Sequence, residues 1–134
     1  MKNIVKRASP PNARRCAFTG YRPQKMPFGF NESDPRCIGF KRRVKETIQA
    51  LYDMGYRHFI SGGALGMDMF AAEAVLELRA RHPDMILEMV SPFDDQAARW
   101  SPELRARHDR LFAQADITTA TGQAYTRSAM FRRN

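Results

Sequence analysis

Ser61-Gly62-Gly63-Ala64-Leu65-Gly66-Met67-Asp68 puts three glycines and one carboxylate within eight residues. Glycines let a backbone turn tightly, approach a ligand closely and present its N–H groups to an anion where a helix begins. The run lacks the Lys-Ser/Thr that follows the last glycine of a Walker loop, and it lacks the spacing of the dinucleotide fingerprint. Two readings stand at this level: main-chain amides exposed between Ser61 and Asp68 cradle a phosphate, or the glycines only make a tight strand-to-helix turn. Asp68 suits the first turn of a helix. Against a phosphate it would repel, so a ligand role for it means ribose hydroxyls, with the phosphate nearer Gly62 and Gly63. Simple helix capping is the alternative.

Two further segments have the composition of ligand loops. In Thr19-Gly20-Tyr21-Arg22-Pro23, Arg22 is placed to neutralise phosphate charge or is merely solvated, and Tyr21 either stacks on a base or packs beside a sheet. Ser91-Pro92-Phe93, followed by Gln96 and Trp100, is the third. The remaining reactive side chains form no catalytic pattern. His58, His82 and His108 read as structural or surface residues, with the dipole at a helix C-terminus accounting for His82. Cys16 reads as a small buried residue of the first strand with no base spaced to activate it. Asp94-Asp95 reads as a solvated loop pair, and no metal-ligand spacing occurs.

Positioning these loops requires strands that end where they begin. Arg15–Thr19 is a short apolar run closed by Gly20, which predicts a buried strand. Asp34-Pro35 supplies an N-cap and a first helical residue. Phe40, Val44, Ile48 and Leu51 then recur at helical spacing up to Gly55. Tyr56–Ser61 predicts a second strand, and a helix follows from about Gly66 to Arg81 with Phe70, Ala71, Ala74, Val75 and Leu78 inward and Pro83 as its stop. Met85–Val90 predicts a third strand. Ser101-Pro102-Glu103 opens a third helix whose inner face carries Leu104, Leu111, Phe112 and Ala115, and Ile117–Ala120 predicts a fourth strand. Strands alternating with helices call for a parallel sheet flanked by helices, an α/β three-layer sandwich with about four strands.

At 134 residues, the chain has the length of one domain, expected over residues 15–134 behind a flexible basic leader at 1–14. It is 43% hydrophobic and 27% charged, which excludes a disordered polyelectrolyte. No apolar run reaches the ~18 residues of a membrane span. Two isolated thiols suit a reducing compartment, so a cytoplasmic location is expected. The net charge of +8 suggests a nucleic-acid partner until its distribution is followed. Residues 1–15 hold five cations and no acid, residues 127–134 hold three and no acid, and the 14 cations between them face 14 acids. The body is neutral, which disfavours a nucleic-acid-reading face.

Together, Thr19–Pro23, Phe59–Asp68 and Pro92-Phe93 with Gln96 and Trp100 resemble the YpsA-like branch of the SLOG superfamily (SMF/DprA and LOG proteins). Tyr125, Met130, Arg133 and Asn134 match its spacing beyond the fourth strand. The resemblance implies a Rossmann-like fold that binds a nucleotide-derived ligand such as ADP-ribose, NAD or a mononucleotide. Carried onto this sequence, Gly66 and Asp68 become the ligand-contacting pair of the second loop, with Thr19, Gly20 and Arg22 beside them; the loop compositions above add Tyr21, Ser61, Gly62, Gly63, Pro92 and Phe93 as candidates for the same site. The family's chain continues through a further helix, a strand, a Gly-Gly-Thr loop and a last helix. The resemblance therefore implies a sheet lacking its C-terminal strand and helix, and self-association through the apolar surface left open. A single-stranded nucleic-acid module is one alternative, suggested by the basic ends and the DNA-binding DprA relatives. A phosphoribohydrolase is another, although the Pro-Gly-Gly-x-Gly-Thr-x-x-Glu motif of the LOG enzymes does not occur here.

Overall fold

The computed structural model of the chain describes residues 2–91 and 96–120. Its elements run β1 (Lys2–Val5), β2 (Arg14–Ala17), α1 (Pro35–Asp53), β3 (Tyr56–Ser61), α2 (Met67–Arg79), β4 (Ile86–Ser91), α3 (Pro102–Gln114) and β5 (Ile117–Ala120). The helices begin where the sequence places them. Asp34 caps α1 by accepting the Arg36 N–H at 2.8 Å, and Ser101 caps α3 by accepting the Leu104 N–H at 3.3 Å, each followed by proline. After α1, Gly55 takes φ +102°, which ends the helix in a conformation that other residues resist.

The strands form one sheet in the order β1-β5-β4-β3-β2, with β2 to β5 parallel and β1 antiparallel to β5. This is the α/β, Rossmann-like sheet with helical crossovers that the alternation of elements predicts. Because the parallel strands follow one another in sequence order, every right-handed crossover steps the same way and lays its helix on the same face. Val44 and Ile48 of α1, Val75 and Leu78 of α2 and Leu111 of α3 accordingly share one core with Phe59, Leu87 and Met89 of the sheet. The described helices thus make one outer layer. On the opposite face a polar row crosses four strands: His58 Nε2 lies 2.7 Å from Glu88 Oε1, Thr119 donates to Glu88 Oε2 at 3.1 Å, and Asn3 donates to Thr119 at 3.0 Å.

Two expectations are corrected here. Residues 2–7, read as part of a flexible leader, supply a fifth strand and its anchor. Lys2–Val5 pairs with Ile117–Ala120, and the Lys6 and Arg7 amides both donate to the Asp116 carbonyl. The partner strand lies at the other end of the chain, so no local pattern announces the pairing. Among the described residues, the strand expected to be buried at Arg15–Thr19 is instead an edge strand, Arg14–Ala17, paired there only with β3 and largely exposed. Cys16 is half-buried there rather than enclosed, whereas Cys37 on α1 is buried. Among the described residues no helix is long and apolar enough to cross a membrane.

Candidate functional site

The glycine loop leaves β3 and turns inward. Ser61, Gly62, Gly63, Ala64 and Gly66 are all buried. Ser61 organises the turn: its hydroxyl donates to the Asp68 carbonyl at 2.7 Å and accepts the Gly63 N–H at 3.2 Å. Asp68, 5% exposed, accepts the Ala64 N–H on Oδ2 at 3.4 Å. The Met67 N–H donates to the Tyr21 carbonyl at 3.3 Å. The amides of Gly63, Ala64 and Met67 are therefore engaged by the protein itself, and the expectation that the stretch exposes its main-chain donors as an anion cradle is corrected for these three. The driving force is the requirement that a buried N–H find an acceptor.

Two glycines are irreplaceable for geometric reasons. Gly63 has φ +71°, and a Cβ on it would stand 2.9 Å from the Phe112 ring and 3.3 Å from Met89 Cε. Gly66 caps α2 at φ +90°, and its Cβ would stand 2.6 Å from the Tyr21 carbonyl oxygen. The loop after β2 is thus seated directly on the start of α2. That seating leaves Thr19, Gly20, Tyr21 and Arg22 exposed, with the Tyr21 side chain 70% accessible and Pro23 buried beneath. In a parallel sheet the strand carboxyl ends are where ligands bind. These two loops meet at that edge, although the described strands contain no reversal of order to open a crevice.

A third contributor reaches the loop from the segment before α3. Gln96 Nε2 donates to the Gly62 carbonyl at 2.9 Å, and His108 Nε2 stands 3.0 Å from Gln96 Oε1. The other ring nitrogen, His108 Nδ1, stands 3.1 Å from Asp109 Oδ1. The His108 ring packs between Trp100, edge-on at 5.3 Å, and Phe112, tilted at 4.4 Å. Phe112 in turn closes over Gly63. Residue type alone does not distinguish His108 from the other two histidines. The signal that finds it is position, since it falls in the Leu104, Leu111, Phe112 stripe of the inner face of α3.

The remaining candidates are structural. His58 is buried against Glu88, and His82 stacks on Tyr52 at 4.2 Å while its Nε2 lies 3.0 Å from Gln49 Oε1. Burial raises the pKa of both Cys16 and Cys37, which holds them in the unreactive thiol form. Ser91, at the end of β4, is buried. Pro92, Phe93, Asp94, Asp95, Tyr125, Met130, Arg133 and Asn134 lie outside the described residues.

Comparison with known proteins agrees with this arrangement. The YpsA family model, described as the YspA SLOG family, matches residues 16–134. A UPF0398 protein of Bacillus pumilus is 30% identical over 117 residues, covering 87% of this chain and 62% of that protein. A UPF0398 protein of Lacticaseibacillus casei is 32% identical over 111 residues, covering 83% and 58%. The UPF0398 protein YpsA of Bacillus subtilis is 28% identical over 117 residues, covering 87% and 64%. The chain spans about three-fifths of the length of these curated relatives. With a match over nearly the whole parallel sheet and both described strand-end loops, the chain belongs to the YspA SLOG family.

Proposed function

We propose that the chain binds a nucleotide-derived small molecule, of the ADP-ribose, NAD or mononucleotide class, at the carboxyl edge of the parallel sheet. The observation that carries this reading is the seating of Thr19–Arg22 on Gly66, which holds two exposed residues, the aromatic Tyr21 and the cationic Arg22, at the start of α2. Tyr21 offers a face for a base, worth about 1–3 kcal/mol if stacked, and Arg22 offers a fork for a phosphate. Thr19 supplies a hydroxyl beside them. The glycine loop then acts as the rigid floor that fixes these groups, with Gln96 and His108 holding Gly62 in place. Membership of the SLOG family supports the ligand class.

Isothermal titration of the chain with ADP-ribose, NAD and AMP tests the reading. Heat of binding is expected for at least one of them, with affinity reduced about tenfold or more in Tyr21→Ala. Absence of heat for all three overturns it.

A further inference from the structure

On their outer side the three helices line a trough of about 620 Å³ that shares no lining residue with the strand-end loops. Ile38, Lys41, Arg42 and Lys45 form one wall at the i, i+3, i+4, i+7 spacing of a single helical face. Phe70, Glu73 and Glu77 run along the floor on α2, and Arg107 and Arg110 stand on the α3 wall. Five cations thus surround two carboxylates. Internal pairing uses most of them. Lys45 meets Glu77 at 2.9 Å, Arg107 clasps Glu73 and Glu32, and Lys41 meets Glu32 at 2.5 Å. Among the described residues Arg42 and Arg110, both exposed and on opposite walls, enter no ion pair. Ile38, one turn before Arg42 on the same wall, is 51% exposed, and Leu76 on α2 is half-buried.

Packed helices stand about 8–10 Å apart, so the trough above α2, rimmed by α1 and α3, has the scale of one helix, ~10 Å in diameter. From Ile38 to Lys45 the wall extends about 10 Å, two helical turns. We propose that this trough docks an acidic amphipathic helix of a partner protein, its apolar stripe on Ile38 and Leu76 and its carboxylates toward Arg42 and Arg110. A second copy of the chain is the poorer match. Helix α1 carries five cations against two acids, α3 carries three against two, and the acidic α2 is packed between them. A nucleic acid is also a poorer match, because the Phe70 ring is 5% exposed and already covered by Lys41 at 4.8 Å and Arg107 at 5.9 Å, leaving no face for a base.

The test is fluorescence anisotropy of the full chain with a labelled 16-residue helical peptide bearing leucines along one stripe and glutamates on both flanks. Saturable, salt-sensitive binding is expected, weakened at least tenfold by Arg42→Glu with Arg110→Glu. That variant breaks no ion pair, so its unfolding midpoint should stay in place, and a peptide with lysines for the glutamates should bind it in preference to the parent. Tyr21→Ala should leave peptide binding unchanged, which separates this surface from the strand-end site. The proposal is overturned if the glutamate peptide does not bind or binds the double variant equally well. Tighter binding of a 16-nucleotide single strand that the same variant abolishes would assign the trough to nucleic acid. A sedimentation coefficient that falls in the double variant would assign it to a second copy.

Discussion

Arg107 on α3 holds Glu73 on α2 with both ends of its guanidinium, Nε to Oε2 at 2.7 Å and Nη2 to Oε1 at 2.5 Å. The same group reaches Glu32, ahead of α1, through Nη1 at 2.6 Å and Nη2 at 2.9 Å. One planar fork therefore ties α3 to α2 and to the segment leading into α1, a geometry that lysine cannot reproduce.

Replacing Arg107 by Ala leaves Glu32 and Glu73, each with its side chain 32% exposed, without their shared counter-charge. Stranding a fully buried charge costs about 3–5 kcal/mol; at this exposure, screening reduces the expected loss to about 1–3 kcal/mol. Urea unfolding of Arg107→Ala and Arg107→Lys measures it, and the lysine variant should recover less than half.

The same clasp makes stability depend on acidity. Burial pushes the Glu32 carboxyl upward, but hydrogen bonds from Arg107 and Lys41 and their charges outweigh it, so its pKa lies below the ordinary glutamate value. A carboxyl lowered by folding stabilises above its unfolded value and loses that contribution as pH falls through the folded one. The unfolding free energies of the parent and Glu32→Gln should therefore differ near neutrality and converge below about pH 4. A difference that persists at low pH would contradict the assignment.

Glycine substitutions should separate two kinds of position. Gly66→Ala places a methyl group 2.6 Å from the Tyr21 carbonyl oxygen at a φ of +90°, and about 1–3 kcal/mol of destabilisation is expected. Gly39 lies inside α1, where a Cβ meets only Arg43 Nη1 at an ordinary 3.6 Å. Gly39→Ala should stabilise the chain by about 0.5–1 kcal/mol. Thermal unfolding of both variants, with midpoints moving in opposite directions, is the check.

Asp116 anchors the edge of the sheet. Its carboxylate, 4% exposed, accepts the Leu87 N–H at 2.9 Å, Arg79 at 2.8 Å and Arg7 at 3.2 Å. Asp116→Ala strands the Leu87 amide and should cost about 2–4 kcal/mol, with hydrogen-exchange protection lost at Leu87 while Lys6, bonded to the main-chain carbonyl, keeps its acceptor. Arg7→Ala, whose side chain is 44% exposed, should cost under about 1 kcal/mol.

Sequence alone determined the elements whose causes are local. Asp34-Pro35 and Ser101-Pro102 mark helix starts because capping is a matter of adjacent residues, and the Phe70 to Leu78 stripe marks the buried side of α2 because periodicity is written along the chain. The glycine loop was legible as a special turn for the same reason. Tertiary structure decided what that turn is for mechanically. Whether the Gly63 and Ala64 amides face a ligand or the protein depends on which way the backbone folds the nearby Ser61 and Asp68 side chains, and the Met67 amide depends on Tyr21, a partner from a separate segment that leaves no trace in local pattern. The same holds for β1, whose partner strand is at the far end of the chain, and for the three-helix trough, whose walls come from faces that only the shared direction of the crossovers sets side by side.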